Sequence, residues 1–315
     1  MKNVLIVGGT GYVGSKLYEH LKNQYNVTTL DLEWYGNYVN KDNVKIDCAE
    51  VRAAQISKMD AIVFLAGHSS VKMCEDNMLS VMNNNVVNFV RFLGQVPDET
   101  TFIYASSSSV YGDTQKDIVS EDYIAFEPNN WYDLSKHEID SYAKLSHKKY
   151  FGLRFGTVNG SSPNLRNDIM INAMTFNAKK NGKVFCFNPQ IHRPILGIRD
   201  LVRAVGTIIE EGTHENRGIY NLASFNSTAQ EIATVVADIM DCELEIVDTL
   251  PEVITNVKLQ TKAYNFQIDS TKFMDTFQFS FEETVQSIVQ SLKDDFEEIH
   301  KGNRSDVKLY PEDTL

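Results

Sequence analysis

The segment that most constrains this chain is Gly8-Gly9-Thr10-Gly11-Tyr12-Val13-Gly14. It follows an apolar run, Asn3-Val-Leu-Ile-Val7, and opens an amphipathic stretch from Tyr12 to about Lys22. A short apolar run ended by glycines reads as a strand covered on both faces, as in a parallel sheet. Glycines at 8, 11 and 14 allow a tight turn, close approach of backbone to a pyrophosphate, and close packing of helix on strand. The helix N-terminus adds free N–H groups and partial positive charge. Spacing alone also fits an ordinary strand–turn–helix, so the surrounding sequence decides.

That context is favourable. Val27–Leu30 reads as the second strand and ends in Asp31. A carboxylate there accepts both ribose hydroxyls of NAD and repels the extra phosphate of NADP, and no arginine follows closely. Further strands are expected at Val44–Ile46, Ala61–Leu65, Thr101–Tyr104 and Tyr150–Arg154. Helices are expected from about Met78 to Leu93 and Tyr132 to Leu145. This alternation predicts an α/β fold, a Rossmann-type doubly wound parallel sheet whose ligand crevice lies at the strands' C-terminal ends.

After about Gly156 the rhythm changes. Helices are expected near Ile169–Lys180, Asp200–Glu211 and Thr228–Met240, the last opened by a Thr228/Glu231 capping box. Short strands are expected near Val184–Phe187, Gly218–Asn221 and Glu243–Val247. The reading is a NAD-binding domain over 1–160, with 195–215 packing back on it. A smaller C-terminal α/β substrate-binding domain covers most of 161–315, and the tail 302–315 is expected to be flexible.

The chemistry rests on two further segments. Tyr132-Asp-Leu-Ser-Lys136 places a phenol and an ammonium four residues apart, on one helix face. A nearby cation favours the phenolate and lowers the tyrosine's pKa from about 10, which suits a general base. Ala105-Ser-Ser-Ser-Ser-Val-Tyr-Gly112 follows an apolar strand, so its hydroxyls face the same crevice. A serine there can hydrogen-bond a reacting oxygen and pass a proton to Tyr132.

Together these blocks resemble the extended short-chain dehydrogenase/reductase family, in its nucleotide-sugar epimerase/dehydratase branch. The likeness runs from Val4 to about residue 290. It includes GGTGYVG (8–14), LAGHSSV (65–71), NNNV (83–86), YASSSSVYG (104–112), YDLSK (132–136), LRFGTVNG (153–160) and HRPILGIRDL (192–201). The resemblance implies Tyr132 as base, Lys136 as its partner and Ser107 as the catalytic hydroxyl. It implies NAD as cofactor, lined by Gly8, Thr10, Gly11, Tyr12, Val13, Gly14, Asp31, Leu32, Asp47, Cys48, Leu65, Ala66, Gly67, Asn85 and Phe155, with Tyr132 and Lys136. Asp47 reads equally well as a polar strand end. For the substrate, a nucleotide-diphosphate sugar, the likeness implies Ser107, Ser108, Thr157, Asn159, Arg166 and Arg193. Arg193 matches the arginine that holds the diphosphate, and a surface ion pair is the alternative for either arginine.

Two departures shape the functional reading. Ser108 and Ser109 stand where family 4,6-dehydratases carry an Asp-Glu pair, and Asn159 replaces a frequent tyrosine. The first argues against that type of dehydration and favours an NAD-dependent epimerase, acting on a sugar hydroxyl (C4 first) through a keto intermediate. The rivals are a dehydrogenase or ketoreductase of the same family, a dehydratase using Glu121 or His68, and a non-catalytic NAD sensor. The intact Ser107, Tyr132 and Lys136 count against the last. A net charge of −12 argues against a general nucleic-acid binder. Cys48, Cys74, Cys186 and Cys242 lack metal or redox spacing and read as reduced thiols, with no metal expected. No apolar segment suggests a leader or a membrane span, so a cytoplasmic protein is expected. The family resemblance implies a homodimer.

Overall fold

In the computed structural model, which describes residues 1–75, 77–124, 127–247 and 264–297, the first apolar run is a central strand of the main sheet. Strand β1 (Asn3–Val7) pairs in parallel with β2 (Asn26–Leu30) on one side and β3 (Ala61–Phe64) on the other. The chain continues through β4 (Thr101–Ser107), β5 (Ile118–Val119), β6 (Tyr150–Phe155), β7 (Thr157–Asn159), β8 (Lys183–Phe187), β9 (His192–Gly197) and β10 (Gly218–Leu222). It then forms β11 (Phe225–Thr228), β12 (Glu243–Val247) and β13 (Gln267–Ile268). Six strands build one parallel sheet in the order β10-β6-β4-β3-β1-β2.

Side chains alternate across this sheet, so each face needs its own cover. The helices of the first half are α1 (Tyr12–Leu21), α2 (Ala53–Ile56), α3 (Val71–Cys74), α4 (Met78–Val81), α5 (Asn88–Gln95) and α6 (Trp131–Leu145). Those that follow are α7 (Met170–Asn181), α8 (Ile198–Glu211), α9 (Ala229–Met240), α10 (Thr271–Phe277) and α11 (Val285–Asp294). Val4 and Ile6 of β1 pack against Leu17 and Leu21 of α1 and Leu201, Val205 and Ile208 of α8. Leu5 and Val7 point the other way, into Phe89 and Phe92 of α5 and Ile139 and Ala143 of α6. This is the doubly wound Rossmann-type arrangement that the strand pattern implied. The chain winds outward in opposite directions from β1 and β3, which leaves a crevice at their C-terminal ends.

A second core joins α7, α9 and α11 to β8 through Ile171, Val184, Ile232, Val236, Ile288 and Leu292. β8 pairs with β12, and β9 lies between β11 and β7. The capping box forms: Glu231 N donates to Thr228 Oγ1 at 3.2 Å, and Thr228 N to Glu231 Oε2 at 2.8 Å.

Three expectations need correction. Gly218–Asn221, assigned to the smaller half, belongs to β10, the edge strand of the main sheet beside β6. Val44–Ile46 forms only an isolated bridge, Leu30 to Val44, at the opposite edge. Asn40 and Asn43 bond to the Thr29 hydroxyl and the Asp31 carbonyl there, so side chains replace a longer ladder. The helix from Met78 is not uniform, because Met82–Val87 between α4 and α5 is π-helical. The tail 302–315 lies outside the described residues.

Candidate active site

The turn after β1 is built for close backbone contact. Gly8 has φ of +88°, and a Cβ there would lie 2.8 Å from the Ala66 backbone nitrogen. A Cβ on Gly14 would overlap the Gly8 carbonyl oxygen, so α1 can pack this near to β1 only with glycine at 14. Gly11 is the N-cap of α1 and caps it with no side chain, which leaves N–H groups of the first turn for an anion. Asp31 closes the turn: Oδ2 accepts from Thr10 N at 3.1 Å, and Oδ1 from Glu33 N at 2.6 Å. Burial pushes this carboxyl above the usual aspartate range, against those two hydrogen bonds.

A cleft of about 400 Å³ runs from this turn across the ends of the strands. Ser107, Tyr132 and Lys136 line it together with Gly8, Gly11 and Asp31. Ser107 ends β4 and Tyr132 lies in the first turn of α6, whose N-cap is Asn130. The Ser107 hydroxyl favours the ionised form of the phenol. Lys136 Nζ lies 5.8 Å from the centre of the Tyr132 ring but donates to the Ala105 carbonyl at 2.8 Å. The expected lowering of the Tyr132 pKa is therefore not met. Burial dominates and pushes the phenol up to about 12. Burial also brings the Lys136 ammonium down to about 8.

Most residues singled out in the sequence converge on this cleft. Thr10, Tyr12, Val13, Gly14, Leu32, Asp47, Cys48, Leu65, Ala66, Gly67, Ser108, Phe155, Thr157, Arg166 and Arg193 all line it. Asp47 also caps the turn at Cys48–Glu50 by accepting from Ala49 N at 2.8 Å. The arginines differ. Arg166 makes a two-point pair with Asp168 (3.0 and 2.7 Å) and donates to the Ser69 carbonyl. Arg193 is half-buried, donates to the Tyr264 carbonyl at 3.2 Å and stacks on Phe266, with no ion pair among the described residues.

Two expected contacts lie elsewhere. Asn85 is buried behind the cleft, where it accepts from His68 N at 2.7 Å and donates to the Ser135 hydroxyl. Its neighbour Asn84 lines the cleft instead, because the π-helical turn changes the phase of the helix. Asn159 is fully buried and accepts from Ile171 N at 3.0 Å, bracing the start of α7. Glu121, a rival acid, does not line the cleft and accepts from Asn221 N. His68 does line it, but burial lowers its pKa to about 4 and its Nε2 meets Ser80 Oγ at 3.2 Å. Trp34, Tyr35, Asn164 and Phe266 were missed. Aromatics directly after Asp31 could have flagged the first two, whereas Phe266 arrives from a distant segment with no local signature.

The NAD dependent epimerase/dehydratase family matches residues 4–223. An uncharacterised protein of Methanocaldococcus jannaschii is 30% identical over 187 residues, 50% of this chain and 57% of that protein. A UDP-glucose 4-epimerase of Lactobacillus helveticus is 26% identical over 174 residues, 50% of this chain and 52% of that enzyme. The chain thus spans about half the length of these curated relatives. A solved structure of a UDP-glucuronic acid 4-epimerase from Bacillus cereus, in complex with UDP-glucuronic acid and NAD, superposes with a TM-score of 0.77 at 19% identity, covering 93% of this chain and 98% of that one. No helix among the described residues is long and apolar enough to cross a membrane.

Proposed function

The chain belongs to the NAD-dependent epimerase/dehydratase family, and we propose that it is a nucleotide-sugar epimerase that inverts a sugar carbon, C4 first, through a keto intermediate. One observation carries this reading: a single cleft holds the glycine turn with Asp31, the Ser107–Tyr132–Lys136 set, and two arginines. The turn fits NAD by its own geometry, since Gly8 and Gly14 exclude any side chain and α1 offers uncapped N–H groups. Gly11 to Val13 hold the pyrophosphate, and Asp31 takes the adenosine ribose hydroxyls. When bound, NAD would supply the redox chemistry, as acceptor and donor of hydride.

The protein's own residues do the rest. Tyr132 removes the proton of the sugar hydroxyl and later returns it, while Ser107 orients that oxygen. Lys136 holds the nicotinamide ribose and supplies positive charge beside the phenol. Arg193 binds the diphosphate, where a guanidinium with no carboxylate partner among the described residues gains most from an anion. Ser108 and Ser109, in place of an acid pair, favour epimerisation over elimination. The cytoplasm as its location and a homodimeric assembly complete the proposal.

The test is to denature the purified protein and identify the nucleotide that it releases. Near-stoichiometric NAD supports an internal, recycled redox reaction. An empty protein that also fails to bind NAD in titration would overturn the reading.

A further inference from the structure

Glu33 to Gly36 follow Asp31, just past the end of β2. Gly36 N donates to the Glu33 carbonyl at 3.0 Å, and φ is positive at both ends of this turn, +60° at Glu33 and +84° at Gly36. Its tip, Trp34 and Tyr35, lines the cleft and reaches the segments that follow β3. The Trp34 ring meets the His68 ring edge-on with centres 5.9 Å apart, and Tyr35 OH donates to Met73 Sδ of α3 at 3.6 Å. β1 lies between β2 and β3 in the sheet. A strap that runs from the end of β2 to residues beyond β3 therefore crosses the end of β1, where the glycine turn begins.

Asn164, in the segment after β7, fastens this strap. It is fully buried and still lines the cleft. Its Nδ2 donates to the Thr10 carbonyl at 2.8 Å and to the Tyr35 carbonyl at 3.3 Å. Carbonyls only accept and an amide nitrogen carries two protons, so one proton holds the glycine turn and the other holds the strap. Thr10 N donates in turn to Asp31 Oδ2 at 3.1 Å. Thr10, Asp31, Tyr35 and Asn164 thus close a ring at one end of the cleft. Ser162 ties the same segment to α1 through different atoms: its Oγ donates to the Tyr12 carbonyl at 2.6 Å and lies 3.0 Å from Ser15 Oγ.

We propose that Asn164 is a positioning residue that latches the Trp34–Tyr35 strap across the cofactor cleft, so that NAD enters and leaves only when the latch opens. The two bonds join one part of the protein to another, so they oppose opening whether the cleft is filled or empty. The latch slows entry and exit alike and leaves affinity nearly unchanged. Such a device suits a cofactor that is recycled in place and not exchanged at every turnover. The inference rests on NAD binding at the glycine turn and not on which sugar reaction follows.

The test measures exchange. Protein loaded with radiolabelled NAD is chased with excess unlabelled NAD to give the release rate, and equilibrium titration gives Kd. Asn164→Ala loses both bonds and should release NAD about tenfold faster or more, with Kd within about twofold of wild type. Ser162→Ala loosens the same segment away from the strap and should release NAD at the wild-type rate. An unchanged release rate in Asn164→Ala overturns the proposal. So does a Kd that weakens in step with release, which a direct contact to NAD or a general loosening of the site would give. Equal acceleration by Ser162→Ala overturns it as well. If Asn164→Ala does not fold, Trp34→Ala decides by the same two readings, because half-buried Trp34 holds the far side of the strap. The readout needs no turnover, so a wild type inactive on nucleotide sugars would fail the functional reading without touching this result.

Discussion

Lys136 Nζ lies 2.8 Å from the carbonyl oxygen of Ala105, so the ammonium that shares a helix face with Tyr132 is anchored to the end of β4. It is buried there, and its pKa falls to about 8. Below about pH 8 the folded state bears the full cost of that buried charge. As pH rises from 8 toward the ordinary lysine value of about 10.4, the unfolded chain holds more protons and the wild type gains stability. Lys136→Met should therefore unfold at higher temperature than the wild type at pH 7, by on the order of 1–2 kcal/mol after the lost hydrogen bond is counted. The margin should shrink above pH 8, and turnover should be lost. Calorimetry across pH checks the sign, and a variant less stable at pH 7 would contradict it.

Tyr132→Phe removes one oxygen and leaves the cleft's shape. NAD binding by titration should stay within about twofold, while turnover falls by about a hundredfold or more. Full activity would remove Tyr132 from the base role.

Arg193 has no carboxylate partner among the described residues and faces the cleft. Arg193→Met should raise KM for a nucleotide sugar about 10- to 100-fold, the worth of one charge-assisted contact. NAD affinity should not move. Isothermal titration with each ligand separates the two effects, and an equal loss for both would place Arg193 elsewhere.

Asp31 accepts from Thr10 N and Glu33 N and sits where ribose hydroxyls would compete for it. Asp31→Ser should weaken NAD by about tenfold and narrow the preference over NADP. Equilibrium binding of both nucleotides gives the ratio, and an unchanged ratio would count against this placement.

Gly14→Ala would drive a methyl into the Gly8 carbonyl. The expected loss is on the order of 1–3 kcal/mol, from overpacking where α1 meets β1. Denaturant unfolding measures it, and wild-type stability would show that α1 can move away.

The legible parts of this molecule were local. Gly8 to Gly14 and Asp31 are read from one turn and the strand after it, and Tyr132 with Lys136 from helical spacing. The misses arose where local phase or long-range placement decided. A π-helical stretch, which no α-helical count anticipates, turned Asn84 to the cleft in place of Asn85. Asn159 had the right chemistry for a ligand but was needed to brace α7. Gly218–Leu222 looks like any short strand until β6 is seen to lack a neighbour on that side. The phenol's pKa depended on burial and on where Lys136 spends its proton, neither of which spacing reveals.

The most direct test of the account is to incubate the protein with a panel of nucleotide sugars in D2O and follow the sugar protons by NMR. The account predicts an inverted sugar carbon that keeps its original hydrogen, with no reduced cofactor accumulating. A dehydrated product, solvent deuterium at the inverted carbon, or reduced nucleotide formed in step with product would contradict it.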